Sequence, residues 1–178
     1  MEPLIRPLRR HETDLLDDFV GRLSPHSRYL RFHSPIPSLP SVVRRALLDV
    51  DEQDRIALVA EADDGTAIGV AHMIRTPRSR EGSVSSSEAE IAVAVADERQ
   101  RRGVGRALVA ALTGRARAVG IDRLVARVLP GNTAARELFR TGFAVSLARR
   151  DRDAVILTAL LDGAYQITAD DVLDDLVA

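Results

Sequence analysis

The sequence predicts a basic, glycine-containing turn between an apolar strand and a helix. Residues 91–95 form an apolar run, and residues 100–108 follow with the sequence Gln-Arg-Arg-Gly-Val-Gly-Arg-Ala-Leu. The first N–H groups of a helix lack partners within it and lie at the positive end of its dipole, so they bind anions readily. Gly103 and Gly105 let the backbone approach a ligand closely, and the nearby arginines carry permanent charge. The turn therefore predicts a pyrophosphate site and a phosphorylated cofactor.

Composition excludes several other classes of protein. The 178 residues suit one domain, which we expect to span 1–178, and the formal net charge of −1 gives no support to a nucleic acid or an anionic membrane as partner. The chain has no cysteine, so it has no disulfide framework and no thiol nucleophile. We expect no signal peptide, because arginines interrupt the few apolar residues at the start of the sequence. No apolar run approaches the ~20 residues that span a bilayer. We expect a cytoplasmic protein.

The periodicity of apolar residues predicts a mixed α/β sheet. Helices are predicted over residues 11–23, 25–32, 41–50, 103–119 and 132–140. Strands are predicted over residues 4–8, 55–61, 66–75, 90–96, 124–129, 143–149 and 154–161. A polar connection over 77–87 and an acidic tail over 162–178, with a short helix at 170–177, complete the chain.

Local signals support these boundaries. Ser24 followed by Pro25 is typical of a helix start, and Asp63-Asp64-Gly65 favours a hairpin turn. Gly120 and Gly142 are predicted to end the two later helices, since glycine is favoured just after a helix.

Three segments in fixed order carry a family resemblance. They are the strand Glu-Ile-Ala-Val-Ala-Val at 90–95, the turn at 100–106, and Asn132-Thr-Ala-Ala135 followed by Leu138, Phe139, Gly142 and Phe143. Together they resemble the GNAT family of N-acetyltransferases, whose Gln/Arg-x-x-Gly-x-Gly/Ala signature is matched by Gln100, Gly103 and Gly105. The resemblance spans about residues 55–160. The segment 24–32 is also similar to a stretch in bacterial protein-lysine acetyltransferases of this family.

The resemblance implies a GNAT fold: α/β, with a mixed, mostly antiparallel, splayed sheet flanked by helices. In the family the fourth strand carries a bulge and parts from the fifth, and the pantetheine arm of acetyl-CoA lies in the gap. Acetyl-CoA is then the cosubstrate, and no metal is implied. The implied cofactor-binding residues are Val93, Ala94, Val95, Gln100, Arg101, Arg102, Gly103, Val104, Gly105, Arg106, Asn132 and Ala135.

Glu90 is the candidate catalytic residue. Strand alternation puts it on one face with Ala92 and Ala94, whose small side chains leave room for a ligand. Several family members place a general base at this position; the alternative is a solvated glutamate at a strand end. Glu88 is predicted to be merely exposed, and His72 to be a packed or rim imidazole rather than a catalyst.

The chain departs from the family at the general acid. Where many members carry a tyrosine that protonates the departing thiolate, this sequence has Phe139, which has no proton to give. A thiol with an ordinary pKa near 8.5 is a tolerable leaving group, so water could serve, and Tyr29 is a weaker alternative.

These features predict transfer of an acetyl group from acetyl-CoA to a primary amine, on a protein lysine or a small molecule. The amine attacks directly, Glu90 accepts its proton, and the amide of Val93 or a neighbour steadies the oxyanion. The alternative is a catalytically weak acyl-CoA-binding sensor. A dinucleotide site is disfavoured, because Leu108 occupies the position of the third glycine and Asp122 precedes its strand. A homodimer remains an open alternative for its assembly.

Overall fold

All the strands that the structure describes join one sheet. The computed structural model describes residues 3–76, 87–143 and 146–161. The strands are β1 Leu4–Pro7, β2 Arg55–Glu61, β3 Ala67–Arg75, β4 Glu88–Val95, β5 Arg123–Val128, β6 Ser146–Asp151 and β7 Ala154–Leu160. The helices are α1 Thr13–Arg22, α2 Pro25–Phe32, α3 Ser41–Leu48, α4 Val104–Ala118 and α5 Thr133–Gly142. The strand order across the sheet is β1-β2-β3-β4-β5-β7-β6.

The sheet is antiparallel at every step except between β4 and β5. β4 pairs with β3 along Ala89–Val95 without a shift in register. It pairs with β5 in parallel only at Glu88, Ala89 and Glu90, and beyond Glu90 the two strands part. The mixed, mostly antiparallel, splayed sheet is therefore confirmed. The bulge implied for β4 is absent from its pairing with β3; the register shift in this part of the sheet lies between β2 and β3, at Ala60 and Glu61.

Helices cover the sheet on two faces, each with its own apolar cluster. α4 and α5 pack on one face through Val104, Leu108, Leu112 and Phe139. α1, α2 and α3 pack on the other face through Leu16, Phe19, Val20, Phe32 and Leu48. α4 lies very close to β3, since a Cβ on Gly69 would stand 2.8 Å from Cδ1 of Leu108.

The strand alternation predicted for β4 is confirmed by these clusters. Ile91, Val93 and Val95 pack with the α4–α5 cluster, whereas Ala94 packs with the α1–α3 cluster. Because successive side chains of a strand point to opposite faces, Glu90 and Ala92 share the α1–α3 side with Ala94.

Several boundaries differ from the sequence prediction for identifiable reasons. α1 begins at Thr13 rather than residue 11, because the side chain of Glu12 pairs with Arg6 and accepts the Arg9 N–H, which holds this segment outside the helix. β4 begins at Glu88 rather than at residue 90. The carbonyl of Ser87 accepts from the N–H groups of Asp122 and Arg123, so pairing with the segment of β5 starts just before Glu88. Gly142 is the last residue of α5 rather than the residue after it.

Other predicted segments are confirmed or lie beyond the described residues. Ser24 caps α2, whose bounds match the prediction, and Gly65 takes a positive φ of 79° in the β2–β3 turn. The connection over 77–86 and the acidic tail over 162–178, including its predicted helix, lie outside the described residues.

Candidate functional site

The parting of β4 from β5 leaves one backbone edge of β4 open. The carbonyl of Glu88 accepts from the Thr76 N–H (2.9 Å), and the Ala96 N–H donates to Ile68 (3.0 Å), so even-numbered residues of β4 bond to β3. The backbone groups of the odd-numbered residues Val93 and Val95 therefore face the gap. Such an edge can pair with an extended chain of amides.

The turn after β4 leads directly to the N-terminus of α4. A 3-10 turn over Asp97–Arg99 precedes Gln100, whose Nε2 donates to the Val95 carbonyl (3.2 Å). Gly103 caps α4 with a positive φ of 86°, a conformation that glycine adopts without strain. No side chain caps this helix, and its first backbone bond is from Ala107 to Gly103 (3.0 Å).

The N-terminus of α4 offers unpaired donors and positive charge. In the part of the chain that the structure describes, the N–H groups of Val104, Gly105 and Arg106 make no hydrogen bond. Arg101, Arg102 and Arg106 are exposed and form no ion pair there. Orphan N–H groups, the helix dipole and three guanidinium groups together fit a pyrophosphate.

Gly105 also has a packing role that the sequence did not reveal. A Cβ at this position would lie 3.2 Å from Cδ2 of Leu138 and 3.6 Å from Cγ2 of Val95. The missing side chain thus lets the start of α4 approach both α5 and β4, which keeps the helix N-terminus next to the gap.

Asp97 ties this turn to α2. Its carboxylate accepts from the N–H (2.9 Å) and Oγ (2.8 Å) of Ser24 and from Oγ of Ser27 (2.7 Å). Burial would raise the pKa of Asp97, but these hydrogen bonds hold it below its usual value. Sequence reasoning missed this link, because Asp97 and Ser24 are far apart in the chain.

The predicted Asn132–Ala135 pair builds the start of α5. Oδ1 of Asn132 accepts from the Ala135 N–H (3.1 Å), so the asparagine is the N-cap. Phe139, about two turns further along α5, is buried and packs against Phe143 with 4.7 Å between ring centroids. The contact of Asn132 and Ala135 with a cofactor remains a prediction.

Glu90 lies where the two strands part. Its partner Val125 belongs to the last bridged pair of β4 and β5. The Glu90 side chain is exposed and, among the described residues, makes no hydrogen bond or ion pair. Glu88, two residues earlier on the same face, is instead half-buried, with its Oε2 3.9 Å from Nη1 of Arg123. The prediction that Glu88 is merely exposed is therefore wrong.

Two basic side chains that sequence reasoning missed, Arg31 and His33, lie close enough to Glu90 for its charge to affect their pKa values. Arg31 of α2 is half-buried; burial lowers its pKa to about 10, and the charge of Glu90 partly opposes that shift. Burial also lowers the pKa of His33, and the charges of Arg127 and Arg31 act in the same direction. Arg127 on β5 is paired with Asp151 (2.9 Å). Arg31 lies within the segment 24–32, whose similarity to bacterial protein-lysine acetyltransferases was the only sequence feature that pointed to this region.

His72 is a packed imidazole, as predicted. It is 7 % exposed, and its Nε2–H donates to the Leu47 carbonyl (3.2 Å), which leaves Nδ1 as a buried acceptor without a partner among the described residues. Burial lowers the pKa of His72 to about 3, and the charge of Arg31 contributes. Tyr29, the weaker candidate acid, is 43 % exposed on α2. It lies about 200° around the helix from Arg31, so it points away from Glu90.

Comparison of the sequence with known protein families assigns the chain to one of them. The profile of the acetyltransferase (GNAT) family matches residues 19–143, more than half of the chain. The chain belongs to the GNAT acetyltransferase family. It is accordingly an acyltransferase of a family that uses acetyl-CoA as cosubstrate, and the resemblance drawn from its motifs is confirmed.

Individual GNAT relatives agree with this assignment. An acetyltransferase of Pseudomonas aeruginosa is 32% identical over 136 residues, which cover 76% of this chain and 70% of that protein. Acetyltransferase Pat of Mycolicibacterium smegmatis is 34% identical over 135 residues, which cover 75% of this chain but 38% of Pat. The crystal structure of the GNAT domain of S. lividans PAT superposes with a TM-score of 0.77 at 29% identity, covering 86% of this chain and 88% of that one.

Residues 3–76, 87–143 and 146–161 contain neither a membrane-spanning helix nor a cluster of metal ligands. No helix there is long and apolar enough to cross a membrane. No group of three or more His, Cys, Asp or Glu side chains there is arranged to hold a metal ion.

Proposed function

We propose that this GNAT protein transfers an acetyl group from acetyl-CoA to a primary amine, on a protein lysine or a small molecule, with Glu90 as general base. The observation that carries the proposal is the position of Glu90: it is exposed and unpaired among the described residues, at the point where β4 leaves β5. A carboxylate beside an open strand edge can reach a nucleophile that attacks a thioester held along that edge.

Backbone groups supply most of the proposed cosubstrate site. The pyrophosphate would lie on the N–H groups of residues 101–106, beside the three exposed arginines. The amides of the pantetheine arm would pair with the backbone of Val93 and the N–H of Val95, since the Val95 carbonyl already accepts from Gln100. The arm would pass Ala94, with Asn132 and Ala135 at the start of α5 nearby.

The reaction is a direct attack by the neutral amine on the thioester carbonyl. A C–N bond forms, Glu90 accepts the proton of the amine directly or through a water, and the N–H of Val93 stabilises the oxyanion. The C–S bond then breaks and CoA leaves as a thiolate. Phe139 offers no proton, so the thiolate, whose ordinary pKa is near 8.5, takes one from solvent.

Phe139 is buried and has no acidic proton, so the chain lacks the tyrosine that would protonate the leaving thiolate. This absence favours a second candidate function, a catalytically weak acyl-CoA-binding sensor. Release of CoA thiol from acetyl-CoA in the presence of a panel of primary amines separates the two. A sensor releases no thiol in response to an amine, whereas the proposed enzyme does.

Replacing Glu90 by glutamine tests the base. General-base catalysis typically contributes 10²–10⁴-fold, so kcat/KM for the amine should fall at least tenfold in Glu90→Gln, with little change in KM for acetyl-CoA. The defect should narrow at high pH, where more of the amine is already neutral. Glu88→Gln is the matched control, since Glu88 lies on the same face of β4 but is paired with Arg123; we expect kcat/KM to change less than threefold.

Two results would count against the proposal. If wild-type protein binds acetyl-CoA but releases no thiol with any amine, the sensor is correct. If Glu90→Gln retains full activity in an active enzyme, Glu90 is not the base.

A further inference from the structure

Arg31 is partly buried but, unlike Arg6 and Arg44, forms no ion pair with a described acidic side chain. Its Cζ stands 5.0 Å from the centroid of the Phe32 ring, and it lines a small cleft together with Phe19, His72 and Ala94. In the described part of the chain its guanidinium donates no hydrogen bond and forms no ion pair. None of its nitrogens is among the fully buried, unpartnered atoms, so the guanidinium, although partly buried, keeps some contact with solvent.

A partly buried guanidinium without an ion pair favours the binding of an anionic ligand. A guanidinium carries five N–H donors and cannot be neutralised near pH 7, so leaving it partly desolvated without a partner is costly. Elsewhere the fold supplies partners: Arg6 is paired with Glu12, and Arg44 with Asp17. Among the described residues no acidic side chain pairs with Arg31, which leaves its N–H groups available to an anionic ligand.

The position of Arg31 relates it to the proposed acceptor site. α2 packs against β4, and the Ala94 and His72 side chains that line the cleft lie on the same face of the sheet as Glu90. The charge of Glu90 acts on Arg31, yet the two side chains do not form an ion pair within 4.0 Å. Glu90 therefore does not neutralise Arg31, whose guanidinium can meet an anionic group of an acceptor that has its amine near Glu90.

We propose that Arg31 binds a carboxylate of the acceptor, so that the acceptor is an amine with a carboxylate close to its nucleophilic nitrogen. This inference rests on the acetyl transfer proposed above. One guanidinium matches one carboxylate through two parallel hydrogen bonds. A dianionic phosphate fits less well, because Glu90 is close by, burial keeps the pKa of His33 low, and Arg127 is already paired with Asp151.

The carboxylate has two chemical sources, and matched substrates separate them. One pair is a free α-amino acid and its carboxamide. The other is a short peptide, blocked at both ends, with lysine next to aspartate, and the same peptide with asparagine. In wild-type protein, kcat/KM should be at least tenfold higher for the acid than for the amide in one of the two pairs, and that pair identifies the source.

Variants of Arg31 link the preference to this side chain. Arg31→Gln should reduce the acid-to-amide ratio to below threefold while leaving KM for acetyl-CoA unchanged. Arg31→Lys should retain part of the ratio, because lysine keeps the charge but loses the bidentate geometry. Arg45→Gln is the control, since Arg45 is an exposed arginine of α3 and its loss changes net charge equally; the ratio should stay at its wild-type value.

A binding experiment tests the carboxylate site independently of acetyl transfer. The N-acetylated products of each pair are titrated in the presence of CoA, with the melting temperature as readout. The acid should stabilise wild-type protein more than the amide, and Arg31→Gln should remove the difference.

Equal kcat/KM and equal binding for acid and amide in an otherwise active enzyme would overturn the carboxylate site. An equal loss for acid and amide in Arg31→Gln would also overturn it and would make Arg31 a support for Glu90. Absence of turnover with every amine would instead overturn the proposed function.

Discussion

At the scale of single residues, environment rather than residue type separates Glu88 from Glu90. Both lie on β4 and on one face, so sequence periodicity cannot rank them. Glu88 is placed beside Arg123, across the bridged end of the strands, whereas Glu90 stands where bridging ends. A base must reach its substrate and must not be occupied by a structural partner, and Glu90 meets both conditions.

His72 gives a stability prediction at the same scale. Its pKa is about 3 in the folded chain and near 6.5 when unfolded, so between these values the unfolded state binds more protons and stability falls as pH falls. Between pH 6.5 and 5 this group should lower the free energy of unfolding by roughly 1.5 kcal/mol. Chemical denaturation of His72→Leu should show a correspondingly flatter pH dependence over that window.

The control for this measurement is His11→Gln, because His11 is exposed ahead of α1. Its pH dependence should follow the wild type. An unchanged pH dependence in His72→Leu would mean that His72 is not held neutral by burial.

At the scale of elements, the N-terminus of α4 should behave as an anion site. Acetyl-CoA should raise the melting temperature by binding the native state, whereas NAD and NADP should not. Gly103→Glu should abolish the shift, because it places negative charge where the pyrophosphate belongs and a Cβ there meets no atom within 4 Å. Its positive φ adds some strain, so the readout is the ligand-induced shift rather than the melting temperature itself.

Gly114→Glu is the matched control on the same helix. Gly114 is exposed, and a Cβ there also meets nothing within 4 Å. It should keep the wild-type shift with acetyl-CoA. Full retention of the shift in Gly103→Glu would put the cofactor elsewhere.

At the scale of the whole molecule, local patterns predicted the elements but not the contacts that join them. Apolar periodicity and the Ser24 cap give α2 its bounds, and the glycine turn gives the start of α4. The link from Ser24 to Asp97 spans 73 positions, and the setting of Arg31 depends on α2, β3 and β4 together. No local pattern encodes such contacts. The parting of β4 from β5 was inferred by resemblance, since nothing in the spacing of their residues shows where pairing stops.

Amide hydrogen exchange can test directly whether β4 parts from β5 and holds the cosubstrate there. The N–H of Val93 faces the gap, whereas the amides of Ala92 and Ala94 face β3 and are paired there. Without ligand, the Val93 amide should exchange much faster than those of Ala92 and Ala94. Saturating acetyl-CoA should slow exchange at Val93 selectively, because the pantetheine arm pairs with that edge. If Val93 is as protected as its neighbours without ligand, or is unaffected by bound acetyl-CoA, the gap does not hold the cosubstrate.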